Sequence, residues 1–332
     1  MPRSLRSTGG TSSGRGVCRH VQTESCWTIS GRSWMRSKIL NALRAPLDGA
    51  VHYYVTRWAS QRLIATLYTP DCILGMVHEN RHHVMVIAAP KSGSSWLSVV
   101  LEELLHWRTN SLVFRHQRRE QEIDINQIIT TTRRAHLLSV NQHCRCSDAT
   151  IEWMIGANIK GVVTCRNIFD TVFSYADHLR NESAETPLAF LSDHQVQNMS
   201  QEALLNFVVD MIVPWYFNFY AGWIEYASGR GARVYLSRYE DLLDDPPGQI
   251  AAITDWLGFP QSGEAIATAL EKGGSRYTRK NKAIKGRGKD LPRELVERIL
   301  KMASYYPDTD FSRAGLGLDL APASSAGAWD HE

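Results

Sequence analysis

Residues 84–107 read VMVIAAPKSGSSWLSVVLEELLHW. The run from Val84 to Ala89 is unbroken apolar sequence, short enough for a strand buried on both faces. Pro90-Lys91-Ser92-Gly93-Ser94-Ser95 follows as a turn of small polar residues and one cation. Trp96 to Trp107 then predicts an amphipathic helix, with Ser98, Glu102, Glu103 and His106 on its wet side and Leu97, Val100, Leu101, Leu104 and Leu105 on its dry side. Strand, small-residue loop and helix together present backbone N–H groups and a positive dipole end to an anion. Gly93 lets the backbone approach a ligand closely, Ser94 and Ser95 add hydroxyl donors, and Lys91 adds a full charge. A Walker A loop carries its lysine after the glycines. Here the lysine precedes the loop's single glycine, so the cation sits on the strand side.

The same alternation continues downstream. Ile159 to Cys165 is a second buried strand, ending on Arg166. Asn167 is a good N-cap, and Asp170 completes a capping-box-like start to a helix through Val172, Phe173, Tyr175, Ala176 and Leu179. An arginine at a strand end can aim a bidentate fork at a phosphate, and the plain alternative is an ion pair with Asp170. Ser174 lies seven residues past Asn167, two turns along the same face. Arg233 to Tyr239 predicts a third strand, followed by Glu240-Asp241-Leu242 and the break at Asp244-Asp245-Pro246-Pro247; Ile250 to Leu257 is a helix closed by Gly258. Between the first two strands, Gln121 to Thr132 reads as a helix or a connector, and Arg133 to Val140 as a short strand leading into a loop.

Strands alternating with helices predict one α/β domain with a central parallel sheet flanked by helices. Ligands of such sheets bind beyond the carboxyl ends of the strands. Lys91, Arg166 and Tyr239 all fall there. Residues 181–200 are polar and read as a long loop over that end, suited to a lid or an acceptor gate. Gln201 to Tyr226 is apolar and aromatic, and Pro214 either kinks it or starts a new helix; its rings are core, with some able to line an acceptor pocket. The stretch from Arg276 to Lys289 is basic and contains glycine, as does either a solvated loop or a cationic flap that folds over a phosphate. Leu291 to Tyr305 predicts a closing helix, and residues 316–332 a frayed tail.

Composition sets outer bounds. The chain has 332 residues, 43% hydrophobic and 21% charged, as in a soluble globular protein. Its net charge of +3 is uneven: residues 1–45 carry +7 and the remainder −4. The fold therefore lacks the basic surface of a nucleic-acid-binding domain, and an anion site must be a local cluster of cations. Residues 1–34, rich in Ser, Gly and Arg, read as a disordered extension, with a transit segment or sequence upstream of a start at Met35 as alternatives. Residues 35–80 read as helical, packed on the domain, with 35–66 also suited to lie on a membrane surface. The domain proper spans 81–315. Cys18, Cys26, Cys72, Cys144, Cys146 and Cys165 show no framework spacing, and the His143-Cys144-Arg145-Cys146 pattern lacks the second pair of a metal site. Free thiols in a reducing, cytoplasmic compartment are expected, with no secretory signal or membrane span.

Pro90 to Trp96 resembles the P-K-S-G-T-T-W loop of sulfotransferases that use 3′-phosphoadenosine 5′-phosphosulfate (PAPS), with Ser94-Ser95 in place of Thr-Thr. Arg166 to Leu179 resembles that family's R-[DN]-x-x-D-x-x-x-S-Y segment, and Tyr239 to Leu242 its Y-E-D-L segment. Lys285-Gly286-Arg287-Gly288 resembles the R-K-G-x-x-G loop, with Arg279-Lys280 as the alternative register. The likeness runs in consistent order over about residues 82–312. It implies a P-loop NTPase-like sulfotransferase fold and PAPS as co-substrate without a metal. Lys91, Ser92, Gly93, Ser94, Ser95 and Trp96 would then hold the 5′-phosphosulfate end, Arg166, Ser174 and the 285–288 loop the 3′-phosphate, and Tyr239 the adenosine. Arg134 to Leu138 is similar to the family's K-T-H-L-P segment, with Arg134 for the lysine, Ala135 for Thr and Leu138 for Pro. This implies His136 as the general base, with His143 in reserve. The implied reaction is in-line displacement at sulfur by an acceptor hydroxyl, with a sugar or glycolipid preferred, and Lys91 assisting the leaving group. A nucleotide-dependent phosphotransferase and a non-catalytic PAPS-binding protein are the other readings. A homodimer is compatible with the sequence and not specified by it.

Overall fold

A computed structural model gives the fold, and it describes residues 81–113, 121–131, 135–182, 191–275 and 285–317. The readings for residues 1–80, for Arg133, Arg134, Arg279 and Lys280, and for the tail from 318 lie outside that set. Among the described residues the sheet has five strands, all parallel, in the order β2-β3-β1-β4-β5. These are β1 (His83–Ala88), β2 (Arg108–Asn110), β3 (Leu137–Gln142), β4 (Ile159–Cys165) and β5 (Val234–Arg238).

The two-residue period of β1 divides the core in two. Val84 and Val86 pack with Leu97, Val100 and Leu101 of α1 (Ser94–Leu105) on one face of the sheet, together with α9 (Pro246–Leu257) and α10 (Gly263–Ser275). Met85, Ile87 and Ala89 point to the other face. There they meet α3 (Asp148–Gly156), α4 (Ile168–Asn181), α6 (Gln201–Phe207), α7 (Val213–Ser228) and α11 (Arg293–Ala303). Because both faces are covered, β1 is buried along its whole length, as its unbroken apolar sequence predicts. Gly161 of β4 sits where a Cβ would come within 2.9 Å of both Ile87 and Val234, so this narrow point of the core has room for hydrogen alone.

Several boundaries differ from the sequence reading. The helix after β1 begins at Ser94 and ends at Leu105, where His106 turns left-handed (φ 51) and its N–H donates to Glu102. Ser98 is buried, not wet. Strand β3 runs to Gln142, beyond the expected end at Val140. The polar 181–200 stretch contains a short helix, α5 (Asp193–Asn198), opened by a capping box between Ser192 and Gln195. Pro214 begins α7 after a π-helical turn at Val208–Ile212. The rings of α7 are core: Trp215, Tyr216, Phe217, Phe219, Tyr220 and Trp223 are all buried. Two further short helices are α2 (Ile125–Thr131) and α8 (Tyr239–Asp244). Among the described residues no helix is long and apolar enough to cross a membrane.

This strand order fixes where a ligand can bind. From β1 the chain crosses to β2 on one side of the sheet; from β4 it crosses to β5 on the other. The crevice between the carboxyl ends of β1 and β4 is the switch point. It is framed by the 90–93 turn and by Arg166.

Candidate active site

The turn after β1 is a left-handed excursion. Lys91 has φ 64 and Gly93, the N-cap of α1, has φ 83. Glycine takes this region without cost, whereas a lysine there is held by its surroundings. What holds it comes from β4 and α7. The Arg166 guanidinium, buried at the end of β4, donates to the Lys91 carbonyl at 2.7 Å. The Tyr216 hydroxyl donates to the Pro90 carbonyl. The Tyr220 hydroxyl lies 3.2 Å from Ser92 Oγ and accepts the Arg166 N–H at 3.2 Å. Burial raises the pKa of both tyrosines, so they act here as neutral hydroxyls.

Arg166 is the centre of a second cluster. Its guanidinium donates to Ser174 Oγ at 3.1 Å and lies 4.6 Å from the centre of the Tyr239 ring, within cation–π range. Arg166 Nε is buried without a hydrogen-bond partner among the described residues. The Tyr239 ring also covers Gly93: a Cβ on that glycine would lie 2.5 Å from Tyr239 Cδ2. Residues from four separate segments thus meet at the switch point. Burial also raises the Tyr239 hydroxyl's pKa, with the Arg166 charge opposing it. Beneath the ring, Glu240 accepts the Asn167 N–H at 3.0 Å, and burial raises its pKa.

The sequence alternative of an Arg166–Asp170 ion pair is not what the structure shows. Asn167 caps α4 as expected, accepting from the N–H groups of Phe169 and Asp170. The Asp170 carboxylate turns instead to the basic loop, accepting Gly286 N–H at 2.7 Å and Gly288 N–H at 2.6 Å. Arg287 donates to Asp177 at 2.6 Å and lies over the Phe173 ring, while Lys285 pairs with Asp244. Gly288 rests so closely on α4 that a Cβ would come within 2.4 Å of Phe169. The 285–288 loop is thereby seated on the first three turns of α4, on the same helix as Ser174. Trp96, Ser94 and Ser95 occupy the first turn of α1, Ser94 buried and the other two partly exposed.

The structure does not bring His136 to this site. It precedes β3, level with His82 and His83 at the amino end of β1. The turn lies beyond the other end of that six-residue strand, about 16–20 Å away at ~3.3 Å per residue. There His136 stacks on Trp107 and lies 3.2 Å from the His82 carbonyl. Because β3 continues to Gln142, its carboxyl end delivers His143 instead. His143 Nδ1 is 2.6 Å from the carbonyl of Ala88, the last residue of β1, and its N–H donates to Gln121 at 2.7 Å. A carbonyl can only accept, so Nδ1 carries the proton and Nε2 is the basic nitrogen of the neutral ring.

Three participants escaped the sequence reading. Tyr216 and Tyr220 reach the loop from more than 120 residues away. Glu182, at the end of α4, lies 2.7 Å from the Lys91 ammonium. Burial pushes the nearby Cys144 and Cys146 thiols up to about 12, and Cys144 contacts the Thr150 hydroxyl. Among the described residues no three His, Cys, Asp or Glu side chains converge as a metal site would require.

Residues 81–302, more than half of the chain, match the model of the sulfotransferase domain. No curated protein matches in sequence. The fold is similar to that of mouse sulfotransferase SULT7A1 complexed with PAP, with a TM-score of 0.54 at 15% identity over 73% of this chain and 90% of that one. Sulfotransferase STF1 from Mycobacterium tuberculosis H37Rv aligns at a TM-score of 0.41 and 12% identity, over 81% and 92% of the two chains.

Proposed function

This chain belongs to the sulfotransferase domain family, and from that premise we propose that it transfers the sulfuryl group of PAPS to an acceptor hydroxyl at the crevice between β1 and β4. The observation that carries the proposal is the convergence of Lys91, Arg166, Ser174 and Tyr239 around Gly93 at the switch point. The donor set fits the nucleotide. Arg166 has a buried Nε without a partner among the described residues and Ser174 lies beside its guanidinium, which suits a 3′-phosphate. The N–H groups and hydroxyls of Ser94 and Ser95 open α1 and suit the 5′ end. Tyr239 offers a flat face to the adenosine. PAPS, when bound, supplies a sulfuryl group on a phosphate that is a good leaving group.

The chain's own residues would do the rest by position and charge. His143, rather than His136, is the base: with Nδ1–H held by Ala88 O, its Nε2 takes the acceptor's proton. Lys91 neutralises charge on the oxygen that leaves. The exposed polar residues around α5 suit a sugar or glycolipid hydroxyl. The burial of the α7 rings removes the argument for an aromatic acceptor pocket. A phosphotransferase would want a Mg²⁺-binding carboxylate after a second strand, and Arg166 stands there instead.

Calorimetric titration with 3′-phosphoadenosine 5′-phosphate (PAP), beside adenosine 5′-phosphate, tests the site. Wild-type protein should bind PAP more tightly than the analogue. Arg166→Ala should erase most of that difference, about tenfold or more for a lost charge-assisted pair. Equal binding of the two nucleotides by wild type would overturn the assignment. A screen of sugar, steroid and phenol acceptors with labelled PAPS tests the acceptor class, and turnover confined to steroids or phenols would exclude a sugar.

A further inference from the structure

Lys91 is already engaged. Its ammonium lies 2.7 Å from Glu182 Oε1, and its side chain is only 9% exposed. Glu182 caps the end of α4, its N–H donating to the His178 carbonyl, and its Oε2 lies 2.9 Å from His178 Nδ1. One carboxylate therefore draws together the cation of the 90–93 turn and a ring on the last turn of α4. Burial raises the carboxyl's pKa, but Lys91 and His178 outweigh it and hold the group below its usual range, so it is an anion at neutral pH.

A carboxylate at 2.7 Å offers Lys91 the same charge and geometry as a phosphate or sulfate oxygen. An ammonium drawn onto Glu182 is not aimed at a leaving oxygen, and a second anion beside the first is disfavoured. We propose that Glu182 is a positioning residue that holds Lys91 away from the nucleotide site, so that nucleotide binding must exchange this carboxylate for the 5′-phosphosulfate. The inference rests on the nucleotide site proposed above. It accounts for a close ion pair in a place where the proposed chemistry calls for an available cation. A ligand that displaces a competing partner binds more weakly by the free energy of that partner.

The test is a double-mutant cycle read by calorimetry with PAP on the full-length chain. Glu182→Gln should bind PAP about fivefold or more tightly than wild type, in the usual range of coupling between sites. On a Lys91→Ala background the same change should bring almost no gain, because there is no ammonium to release. Glu182 is 32% exposed at a helix end, so its replacement by glutamine removes no core packing. Glu182→Ala provides an independent variant and should follow the same pattern. An unchanged or weaker affinity in Glu182→Gln would overturn the proposal. An equal gain with and without Lys91 would overturn it too, by reducing the effect to general charge repulsion. If wild type binds PAP no better than adenosine 5′-phosphate, the nucleotide site itself fails and this inference goes with it.

Discussion

At the scale of single residues, the two histidines separate position from residue type. His136 and His143 flank the same strand, and only one end of a parallel sheet faces the switch point. His143 Nδ1 is fixed on Ala88 O, two residues before the turn that carries Lys91 begins. His136 is spent on Trp107 and the His82 backbone. His143→Ala should therefore lower the sulfuryl-transfer rate by about 10²–10⁴-fold, the range for loss of a general base, with little change in PAP affinity. His136→Ala should change the rate by less than about threefold, since it removes no group near the crevice. Single-turnover transfer from labelled PAPS measures both, and a rate loss in His136→Ala matching that in His143→Ala would refute the assignment. The sequence reading took His136 from the K-T-H-L-P likeness, and its strand, ending at Val140, did not carry His143 to the carboxyl end of the sheet. β3 ends in Asn141 and Gln142, polar residues that do not continue an apolar run, although Gln142 is buried. A strand judged by its apolar residues stops early, and its carboxyl end is misplaced.

At the scale of elements, α4 organises the proposed nucleotide site. Asp170, Ser174 and Asp177 lie three and four residues apart, on one face of the helix. They hold, in turn, the backbone of the 285–288 loop, the Arg166 guanidinium and Arg287. Asp170 is the anchor, since its two oxygens accept the two glycine N–H groups. Asp170→Ala should raise the Kd for PAP by about tenfold and speed backbone hydrogen exchange over 285–290, because two charge-assisted hydrogen bonds are lost. Gly288→Ala should do the same by a different route, its Cβ colliding with Phe169 at 2.4 Å. Exchange unchanged in both variants would show that the loop is held by other contacts. Here the sequence was informative in part. β1 was readable because a fully buried strand has unbroken apolar sequence, β4 from its buried Val162-Val163 centre, and the 90–95 turn from its small polar residues and lysine. The basic 285–288 loop was recognisable from its charge and glycines. Asp170 was read as a local cap, and its partner lies more than 110 residues away, a pairing that no local pattern encodes. Helix α5 was missed although Ser192 and Gln195 spell its capping box.

At the scale of the whole molecule, the amino end of the sheet carries a pH-dependent weakness well away from the crevice. His83 opens the central strand, is 1% exposed, and neither ring nitrogen has a hydrogen-bond partner among the described residues. Burial lowers its pKa to about 4, and the nearby His136, Arg81 and His82 push in the same direction. Between pH 6.5 and about 4 the unfolded chain binds a proton at this position that the folded chain does not. This contribution to stability is complete above pH 6.5 and is lost as the pH falls toward 4. From pH 7.5 to 5 the loss should be about 2 kcal/mol, a sizeable part of an ordinary domain's 5–15 kcal/mol. Glu240 works in the opposite sense. Its raised carboxyl makes the folded state the better proton binder above pH 4.5, so comparison of variants is needed to isolate the histidine. Urea unfolding of wild type and His83→Leu at pH 7.5, 6.0 and 5.0 makes that comparison. The leucine variant should keep the Glu240 contribution and lose most of the decline between pH 7.5 and 5. Parallel pH dependences in the two proteins would mean that His83 is protonated inside the fold, and that the amino end of β1 is wetter than its burial implies.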